Sequence, residues 1–165
     1  NNGGIVFDSE YNVVYRKDII DEVVKPIFDT LMKDPCVGNP LVDLSVGYSL
    51  KPTNNANAII ARIIDRNKAL KLLEEVTEKF PSITGYSSDC WLNFDDQSVS
   101  KGNAIKSICN IHNYDYKKVY AIGDNQNDIT MCQICNGFAV ENSTEDLKKA
   151  CKGIVKDIKE LVDML

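Results

Sequence analysis

Residues 119–128 read Val-Tyr-Ala-Ile-Gly-Asp-Asn-Gln-Asn-Asp. The apolar start of this segment predicts a β-strand over 119–122, and Gly123 lets the chain turn sharply where the strand ends. In α/β proteins, ligands bind beyond the carboxyl ends of the parallel strands. Asp124 therefore stands where an α/β enzyme places a metal-binding carboxylate, and Mg²⁺ prefers such oxygen ligands.

Two further polar residues, Asn127 and Asp128, are predicted to lie in the first turn of the helix that follows. Asn127 can donate a hydrogen bond to a phosphate oxygen. Asp128 can contribute to a metal site, directly or through a water molecule, or it can hold a lysine. Aspartate and asparagine before a helix are also ordinary capping residues, and for this segment taken alone that interpretation is equally good.

A lysine about twenty residues upstream favours the functional interpretation. Lys101 stands in Ser100-Lys-Gly102, between a predicted strand at 91–94 and a predicted helix that begins at Gly102. It can point along the sheet ends toward the same crevice as Asp124, where a cation would stabilise charge on a phosphoryl oxygen. A lone lysine at a helix end is more often simply solvated. Together, the two motifs predict phosphoryl transfer.

Composition and charge limit the classes of partner that the chain is expected to bind. The chain has 165 residues, 44% of them hydrophobic, and a net charge of −5. The acidic balance argues against nucleic acid or an anionic membrane as a partner. No apolar run approaches the roughly 20 residues of a membrane span. A small phosphorylated metabolite remains compatible, because one lysine and a metal can overcome a mildly acidic surface.

The six cysteines predict reduced thiols in a cytoplasmic protein, since no secretory signal opens the chain. Cys132 and Cys135 form one CxxC pair, but a structural zinc site needs four ligands. The sequence has no second CxxC, and its one histidine, His112, lies in a polar segment. The pair is therefore interpreted as two small packing residues of a buried helix.

The order of elements predicts an α/β fold in which a parallel, Rossmann-like sheet receives an α+β insertion. Residues 1–16 form a hairpin from strands 5–7 and 13–15, residues 17–96 form the insertion, and residues 97–165 alternate strand and helix. Within the insertion we predict helices over 17–34 and 67–80, the second capped by Asn67, and strands over 44–50, 58–65 and 90–94. Asp95 and Asp96 are placed in a solvated turn, and Trp91 is interpreted as a packing residue rather than a substrate platform.

These motifs, in this order, resemble the haloacid dehalogenase (HAD) superfamily of phosphatases, in particular its Cof-type members. The matching pieces are Ser100-Lys-Gly-Asn-Ala104, the segment from Gly123 to Met131, and Gly137-Phe-Ala-Val140 followed by Asn142. The resemblance implies that Asp124 binds Mg²⁺ and that Lys101 and Asn127 contact the phosphate. It implies that 17–96 is a cap domain that closes over the substrate and selects its leaving group.

The chain departs from the family at the nucleophile. The family uses an aspartate on the first core strand, a second aspartate two residues later as acid and base, and a Ser or Thr after the second strand. In this alignment all three would precede Asn1, in two βα units of on the order of 60–80 residues. The strand at 119–122 would then lack its neighbour, which proteins avoid. The chain is therefore expected to be an inactive fragment that needs its N-terminal segment or a complementing chain.

Two alternatives remain. In a rival alignment, Asp8 is the nucleophile, Glu10 the acid and base, and 41–45 the second motif, although Tyr11-Asn12 replaces the expected Gly-Thr. Alternatively, the chain is a binding or regulatory module that keeps the phosphate pocket but catalyses nothing. The sequence does not name the substrate.

Overall fold

The computed structural model describes residues 2–165, which form two compact units. The antiparallel unit comprises Gly3–Phe7 and Arg16–Val99. The parallel unit comprises Asn2, Asp8–Tyr15 and Ser100–Leu165.

The elements follow one another in an order that begins with a hairpin and ends in alternating strands and helices. They are β1 (Ile5–Phe7), β2 (Val13–Arg16), α1 (Asp21–Lys33), β3 (Leu41–Asp43), β4 (Tyr48–Ser49), β5 (Ala58–Arg62), α2 (Arg66–Lys79), β6 (Ile83–Ser88), β7 (Trp91–Asp96), α3 (Lys101–His112), β8 (Tyr120–Gly123), α4 (Ile129–Ile134), β9 (Asn136–Val140), α5 (Glu145–Ala150), β10 (Gly153–Val155) and α6 (Ile158–Asp163). Short 3-10 turns precede β8 and α4.

The antiparallel unit is built on a five-stranded sheet in the order β4-β3-β5-β7-β6. Alternate strand residues, among them Val42, Ile59 and Phe94, are fully buried and share one core with the apolar faces of the two helices, including Ile27 of α1 and Val76 of α2. Because side chains alternate across a strand, the remaining strand residues lie on the other face of the sheet.

The parallel unit is built on a three-stranded sheet in the order β10-β9-β8, and both of its pairings are parallel. Its small core contains Cys132 of α4, Ala139 of β9 and Leu147 of α5. Within residues 2–165, β8 pairs only with β9, so its other edge is open. The predicted fold class, a parallel α/β sheet with an α+β insertion, is confirmed.

Several local predictions are confirmed. The hairpin of β1 and β2 forms, closed by backbone hydrogen bonds between Asp8 and Asn12 and between Asp8 and Tyr11. The sequence also predicts a short final helix that opens at Asp157, and Asp157 caps that helix by accepting a hydrogen bond from the Glu160 backbone at 2.9 Å. Cys132 and Cys135 are both buried, as packing residues should be.

Other local predictions were wrong. The strand predicted over 44–50 is interrupted by a turn, because Ser45 has a φ of 73° and the Leu44 N–H bonds the Gly47 carbonyl instead of a neighbouring strand. Asp65, not Asn67, caps α2, since its carboxylate accepts from the Lys68 backbone at 3.2 Å. Strands β3, β6 and β10 were not predicted.

The predicted solvated turn at 95–96 was also wrong. Asp95 and Asp96 are the last two residues of β7, and they are only 1% and 5% exposed. Although these side chains are polar, their backbone belongs to the sheet, because β6 pairs Ile83 with Asp96 and Thr84 with Asp95.

The six cysteines are all free thiols. Within residues 2–165, no helix is both long enough and apolar enough to cross a membrane.

Candidate active site

Asp124 directly follows β8, as the sequence predicted. Its side chain is exposed, and its carboxylate forms no hydrogen bond or ion pair within the described part of the chain. Its backbone is held at both ends: the N–H donates to Asp128 Oδ2 at 3.0 Å, and the carbonyl accepts from the Thr144 N–H at 3.2 Å. The loop therefore fixes the Asp124 backbone while leaving the carboxylate available to a ligand.

Asp128 lies in the 3-10 turn that leads into α4, and its side chain is only 3% exposed. Oδ1 forms an ion pair with Lys101, and Oδ2 accepts hydrogen bonds from the backbones of Asp124 and Asn125, the second at 3.3 Å. Both carboxylate oxygens are thus engaged within the protein. This is the arrangement expected if Asp128 holds the lysine, one of the roles the sequence left open; its predicted role as a metal ligand stays a prediction.

The contacts of Asp128 favour its ionised form over its protonated form. Burial by itself raises the pKa of the carboxyl group, but the Lys101 hydrogen bond, the two backbone hydrogen bonds and the lysine charge outweigh it, and the pKa falls below its ordinary value. Asp128 therefore carries a negative charge at neutral pH and anchors the Lys101 ammonium group.

Lys101 is the first residue of α3. Ser100 caps this helix, because its hydroxyl accepts from the Asn103 backbone at 3.1 Å, which fixes the direction in which Lys101 leaves the helix. The side chain is 37% exposed, so the ammonium group reaches Asp128 and still faces solvent. A phosphate could bind to its exposed side.

Two glycines allow the segments around the Lys101–Asp128 pair to pack closely. A Cβ atom on Gly102 would lie 2.7 Å from the Thr130 carbonyl oxygen, so only glycine permits α3 to approach α4 this closely. The Gly102 N–H donates to Thr130 Oγ1 at 3.3 Å. A Cβ atom on Gly123 would lie 2.9 Å from Asp128 Oδ2. The glycines of both motifs are therefore explained by packing around the Lys101–Asp128 pair.

Asn127 is half-buried in the same turn, and its side-chain amide donates to Asn2 Oδ1 at 3.3 Å. A group so placed can also donate to an anion. Its predicted contact with phosphate stays a prediction.

The donor set fits Mg²⁺ in part. Mg²⁺ is usually held by one or two carboxylates, with waters and substrate phosphate completing its octahedron. The unengaged Asp124 carboxylate suits that role. Within residues 2–165 there is no cluster of three or more acidic, histidine or cysteine side chains that could hold a metal. A Mg²⁺ ion on Asp124 would therefore need waters, substrate phosphate or other groups as its further ligands.

Asp8, the nucleophile of the rival alignment, stabilises the hairpin loop. It lies in the hairpin loop, where its carboxylate accepts hydrogen bonds from the backbones of Glu10 at 2.8 Å and Asn12 at 2.9 Å and from the Asn12 amide at 3.1 Å. The preceding strand, β1, pairs with β2 and does not belong to the parallel sheet. The segment 41–45 of the rival alignment contributes β3 to the antiparallel sheet. The rival alignment is therefore wrong about the sheet.

The sequence did not predict a second group of buried polar residues, in the antiparallel unit. Asp43 and Asp95 are 8% and 1% exposed, although they lie 52 positions apart in the chain. The available signal was the adjacency of Asp95 and Asp96, because neighbours in a strand face opposite sides. Their partners are decided by strand register, which the sequence does not display.

Comparison with known proteins decides the family. Residues 44–162 match the family described as haloacid dehalogenase-like hydrolase. The chain belongs to this family. The predicted superfamily and enzyme class, a phosphoric monoester hydrolase family, are confirmed, since matched relatives carry phosphatase names.

Among the curated relatives, the phosphoglycolate phosphatase of Methanobrevibacter smithii is 28% identical over an alignment that covers 98% of this chain and 70% of that protein. The phosphoglycolate phosphatase of Pyrobaculum islandicum is 30% identical over 58% of this chain and 46% of its own length. The 5-amino-6-(5-phospho-D-ribitylamino)uracil phosphatase YwtE of Bacillus subtilis is 32% identical over 36% of this chain and 21% of its own length.

Solved structures share the fold. A haloacid dehalogenase-like hydrolase from Bacteroides thetaiotaomicron superimposes with a TM-score of 0.80 at 19% identity, over 99% of this chain and 73% of that one. The HAD subclass IIB sugar phosphatase BT4131 superimposes with a TM-score of 0.75 at 19% identity, over 93% of this chain and 67% of that one.

Proposed function

We propose that this chain carries the phosphate-binding part of a Mg²⁺-dependent phosphatase that acts on a small phosphorylated metabolite. The observation that carries the proposal is the Lys101 ammonium group, held by the buried Asp128 carboxylate in the loop that begins with Asp124. Lys101 would bind and neutralise the phosphoryl oxygens, and Asn127 would donate a hydrogen bond to them.

Asp124 would hold the metal. Bound Mg²⁺ would neutralise phosphoryl charge and orient the phosphate. The role of Asp128 would be to hold the Lys101 ammonium group in place. This division of labour agrees with the contacts, because the Asp124 carboxylate has no partner within residues 2–165 whereas both oxygens of Asp128 do.

The reaction would follow the phosphoaspartate mechanism. An aspartate carboxylate would attack phosphorus and displace the leaving alcohol, and water would then cleave the acyl phosphate to regenerate the carboxylate. We place this nucleophile on a further strand beside the open edge of β8, either in an N-terminal core segment or in a complementing chain. Unpaired strand edges invite such pairing. The 165 residues alone would then be inactive.

The antiparallel unit, with 17–96 as its main part, would be the cap. Closure of a cap excludes water and completes an active site. This role is supported by the insertion of an independent core into a parallel α/β fold. The site of action would be the cytoplasm.

Phosphate affinity tests the binding site. Inorganic phosphate is titrated calorimetrically into the wild type, Lys101→Met, Asp124→Ala and Lys118→Met, with and without Mg²⁺. Lys118 is an exposed lysine of the same unit and serves as the control. We expect at least tenfold weaker binding for Lys101→Met, loss of the Mg²⁺ effect for Asp124→Ala and no change for Lys118→Met. Equal affinity in all four proteins would refute the site.

The alternative is a non-catalytic module that binds phosphorylated ligands, and it is favoured by the engagement of Asp8 in its own loop. Turnover separates the two functions. Hydrolysis of p-nitrophenyl phosphate by the polypeptide purified from its source, lost on Asp124→Ala, supports the enzyme. Mg²⁺-dependent phosphate binding without hydrolysis supports the module.

A further inference from the structure

The parallel unit holds four of the six cysteines, and two of these lie side by side. Cys132 belongs to α4, and Cys151 directly follows α5. Cys151 packs against the small core that contains Cys132, and the two thiols form a hydrogen bond with each other. The sequence displays Cys132 and Cys135 as a CxxC pair, but the structure also brings Cys132 to Cys151, which belongs to a different element.

The backbone around Gly137 of β9 keeps the two thiols together. A Cβ atom on Gly137 would lie 2.5 Å from the Cys132 carbonyl oxygen, so β9 and α4 are in close contact there. On its other side, the Gly137 carbonyl accepts a hydrogen bond from the Lys152 N–H at 2.8 Å. Cys132 and the residue after Cys151 are therefore both held against the same glycine, and the contact between the thiols follows from the packing of the backbone.

The two thiols differ in exposure and in acidity. Cys132 is 2% exposed, whereas Cys151 is half-buried. Burial raises the pKa of both thiols, that of Cys132 to about 12. Their mutual hydrogen bond raises the pKa of Cys132 further but lowers that of Cys151, so Cys151 is the more readily ionised of the two. Because the thiolate is the reactive form of cysteine, Cys151 is expected to react first with an oxidant and Cys132 second.

A bound metal does not account for the pair. A structural zinc site needs four ligands, and within the described part of the chain no three acidic, histidine or cysteine side chains are placed to hold a metal. Two thiols in contact have another reaction open to them, because together they can give two electrons to an oxidant and form one disulfide.

The pair lies beside the Asp124–Asp128 loop of the same unit. Cys132 follows Asp128 by about one turn of helix, and the negative charge of Asp128 acts on both thiols. Thr144, which precedes α5, donates its N–H to the Asp124 carbonyl at 3.2 Å. A disulfide draws the two sulfur atoms to about 2.05 Å, which is much closer than a hydrogen bond between thiols, so α4 or the end of α5 must shift. That shift would be passed to the loop.

We propose that Cys132 and Cys151 are an oxidant-sensitive pair, which a peroxide converts into a reversible disulfide between α4 and the end of α5. The Cys151 sulfur attacks a peroxide oxygen, the O–O bond breaks, and a sulfenic acid and one water form. The Cys132 sulfur then attacks the Cys151 sulfur, the S–O bond breaks, and a second water leaves with the remaining thiol proton. The two electrons lost by the sulfur atoms reduce the peroxide, and thiol exchange with an added thiol restores both cysteines.

Counting thiols tests the pair. Cys90 is exposed and could link two molecules to each other, so Cys90→Ser is the starting protein. This protein is treated with hydrogen peroxide under native conditions, unfolded, and labelled with N-ethylmaleimide. We expect two labels fewer than in the untreated protein, and full labelling again after dithiothreitol. Full labelling after peroxide treatment, or oxidation of these thiols to sulfinic acid without a cross-link, would overturn the proposal.

Variants in the Cys90→Ser background identify the cysteines that are joined. Cys151→Ser and Cys132→Ser should each abolish the disulfide. Cys135→Ser is the matched control, because Cys135 is a buried cysteine of the same CxxC motif, and it should keep the disulfide. If Cys132→Ser fails to fold, Cys151→Ser at its half-buried position decides the question, together with mass spectrometry of an unreduced digest. A disulfide that persists in Cys151→Ser would refute the pair.

Phosphate binding tests the effect on the loop, and only this effect rests on the proposed function. In calorimetry with inorganic phosphate and Mg²⁺, the oxidised Cys90→Ser protein should bind about fivefold more weakly than the reduced one, which is the lower end of typical coupling between two sites. Peroxide should not change the affinity when Cys151→Ser is added. An unchanged affinity in the cross-linked protein would refute the coupling.

The two readouts keep this proposal separate from the proposed function. A disulfide in a protein that binds no phosphate in its reduced state would support the cysteine pair and refute the phosphate site. Lys101-dependent phosphate binding in a protein that forms no disulfide would do the reverse.

Discussion

Replacement of Asp95 by asparagine tests what the burial of this carboxyl group does to the stability of the protein. Asp95 is almost fully buried, and this burial, together with the nearby charge of Asp43, raises the pKa of its carboxyl group from 3.8 to about 7. The folded protein therefore keeps the Asp95 proton at pH values where the unfolded chain has released it. Asp95→Asn keeps the shape of the protonated side chain and removes the titration.

The size of the pH effect on the free energy of unfolding follows from the difference between the folded and unfolded pKa values of Asp95. Between the unfolded and folded pKa values the native state binds more protons than the unfolded state, so the free energy of unfolding falls as pH rises from about 4 to about 7 and then levels off. A shift of about three units at about 1.4 kcal/mol each gives a total on the order of 4 kcal/mol. About 3 kcal/mol of that loss should appear between pH 5 and pH 8.

Urea unfolding at pH 5 and pH 8, followed by Trp91 emission, measures this loss. Trp91 is in the same strand as Asp95 and reports on the antiparallel unit. The wild type should be markedly less stable at pH 8, and Asp95→Asn should show little difference between the two pH values. Glu75→Gln, at an exposed position of α2, is the control and should behave like the wild type. Equal wild-type stability at both pH values, or an unchanged difference in Asp95→Asn, would refute the argument.

Two further predictions concern the phosphate site. Gly102→Ala forces a methyl group to within 2.7 Å of the Thr130 carbonyl and should cost about 1–3 kcal/mol in urea unfolding, whereas Gly38→Ala, with its nearest neighbour 3.7 Å away, should be nearly neutral. The lowered pKa of Asp128 means that its contribution to stability is present above the unfolded pKa and lost as pH falls through the folded value. Asp128→Asn should therefore destabilise the protein at pH 7 yet make it less sensitive to acid, as circular dichroism during acid titration would show; an unchanged acid transition would contradict this.

The parallel unit was the easier half to predict. Its strands and helices alternate, and the signals used for it are local: the apolar run before Gly123 and the capping residues that follow it. Capping depends on side chains that contact backbone groups a few residues away, so sequence spacing is enough to find it.

The antiparallel unit was harder because its strands depend on their neighbours. β6 (Ile83–Ser88) is half-buried and contains Gly85 and two serines, so it lacks a strong apolar alternation. The carboxyl groups of Asp95 and Asp96 suggested a turn, yet strand pairing buries both. Strand preference depends on packing and on the position in the sheet more than on the residue itself.

The sequence by itself determined the candidates at the end of β8. Asp124, Asn127 and Asp128 lie within five residues, and one turn of backbone is enough to bring them to the same loop. Tertiary structure decided which of these side chains is engaged within the protein. Lys101 reaches Asp128 across 27 positions because Gly102 lets α3 contact α4, and this contact engages the Asp128 carboxylate while leaving that of Asp124 available. Strand pairing likewise buried Asp43 and Asp95 in one sheet, since pairings between distant segments are fixed by the packing of whole elements and not by local spacing.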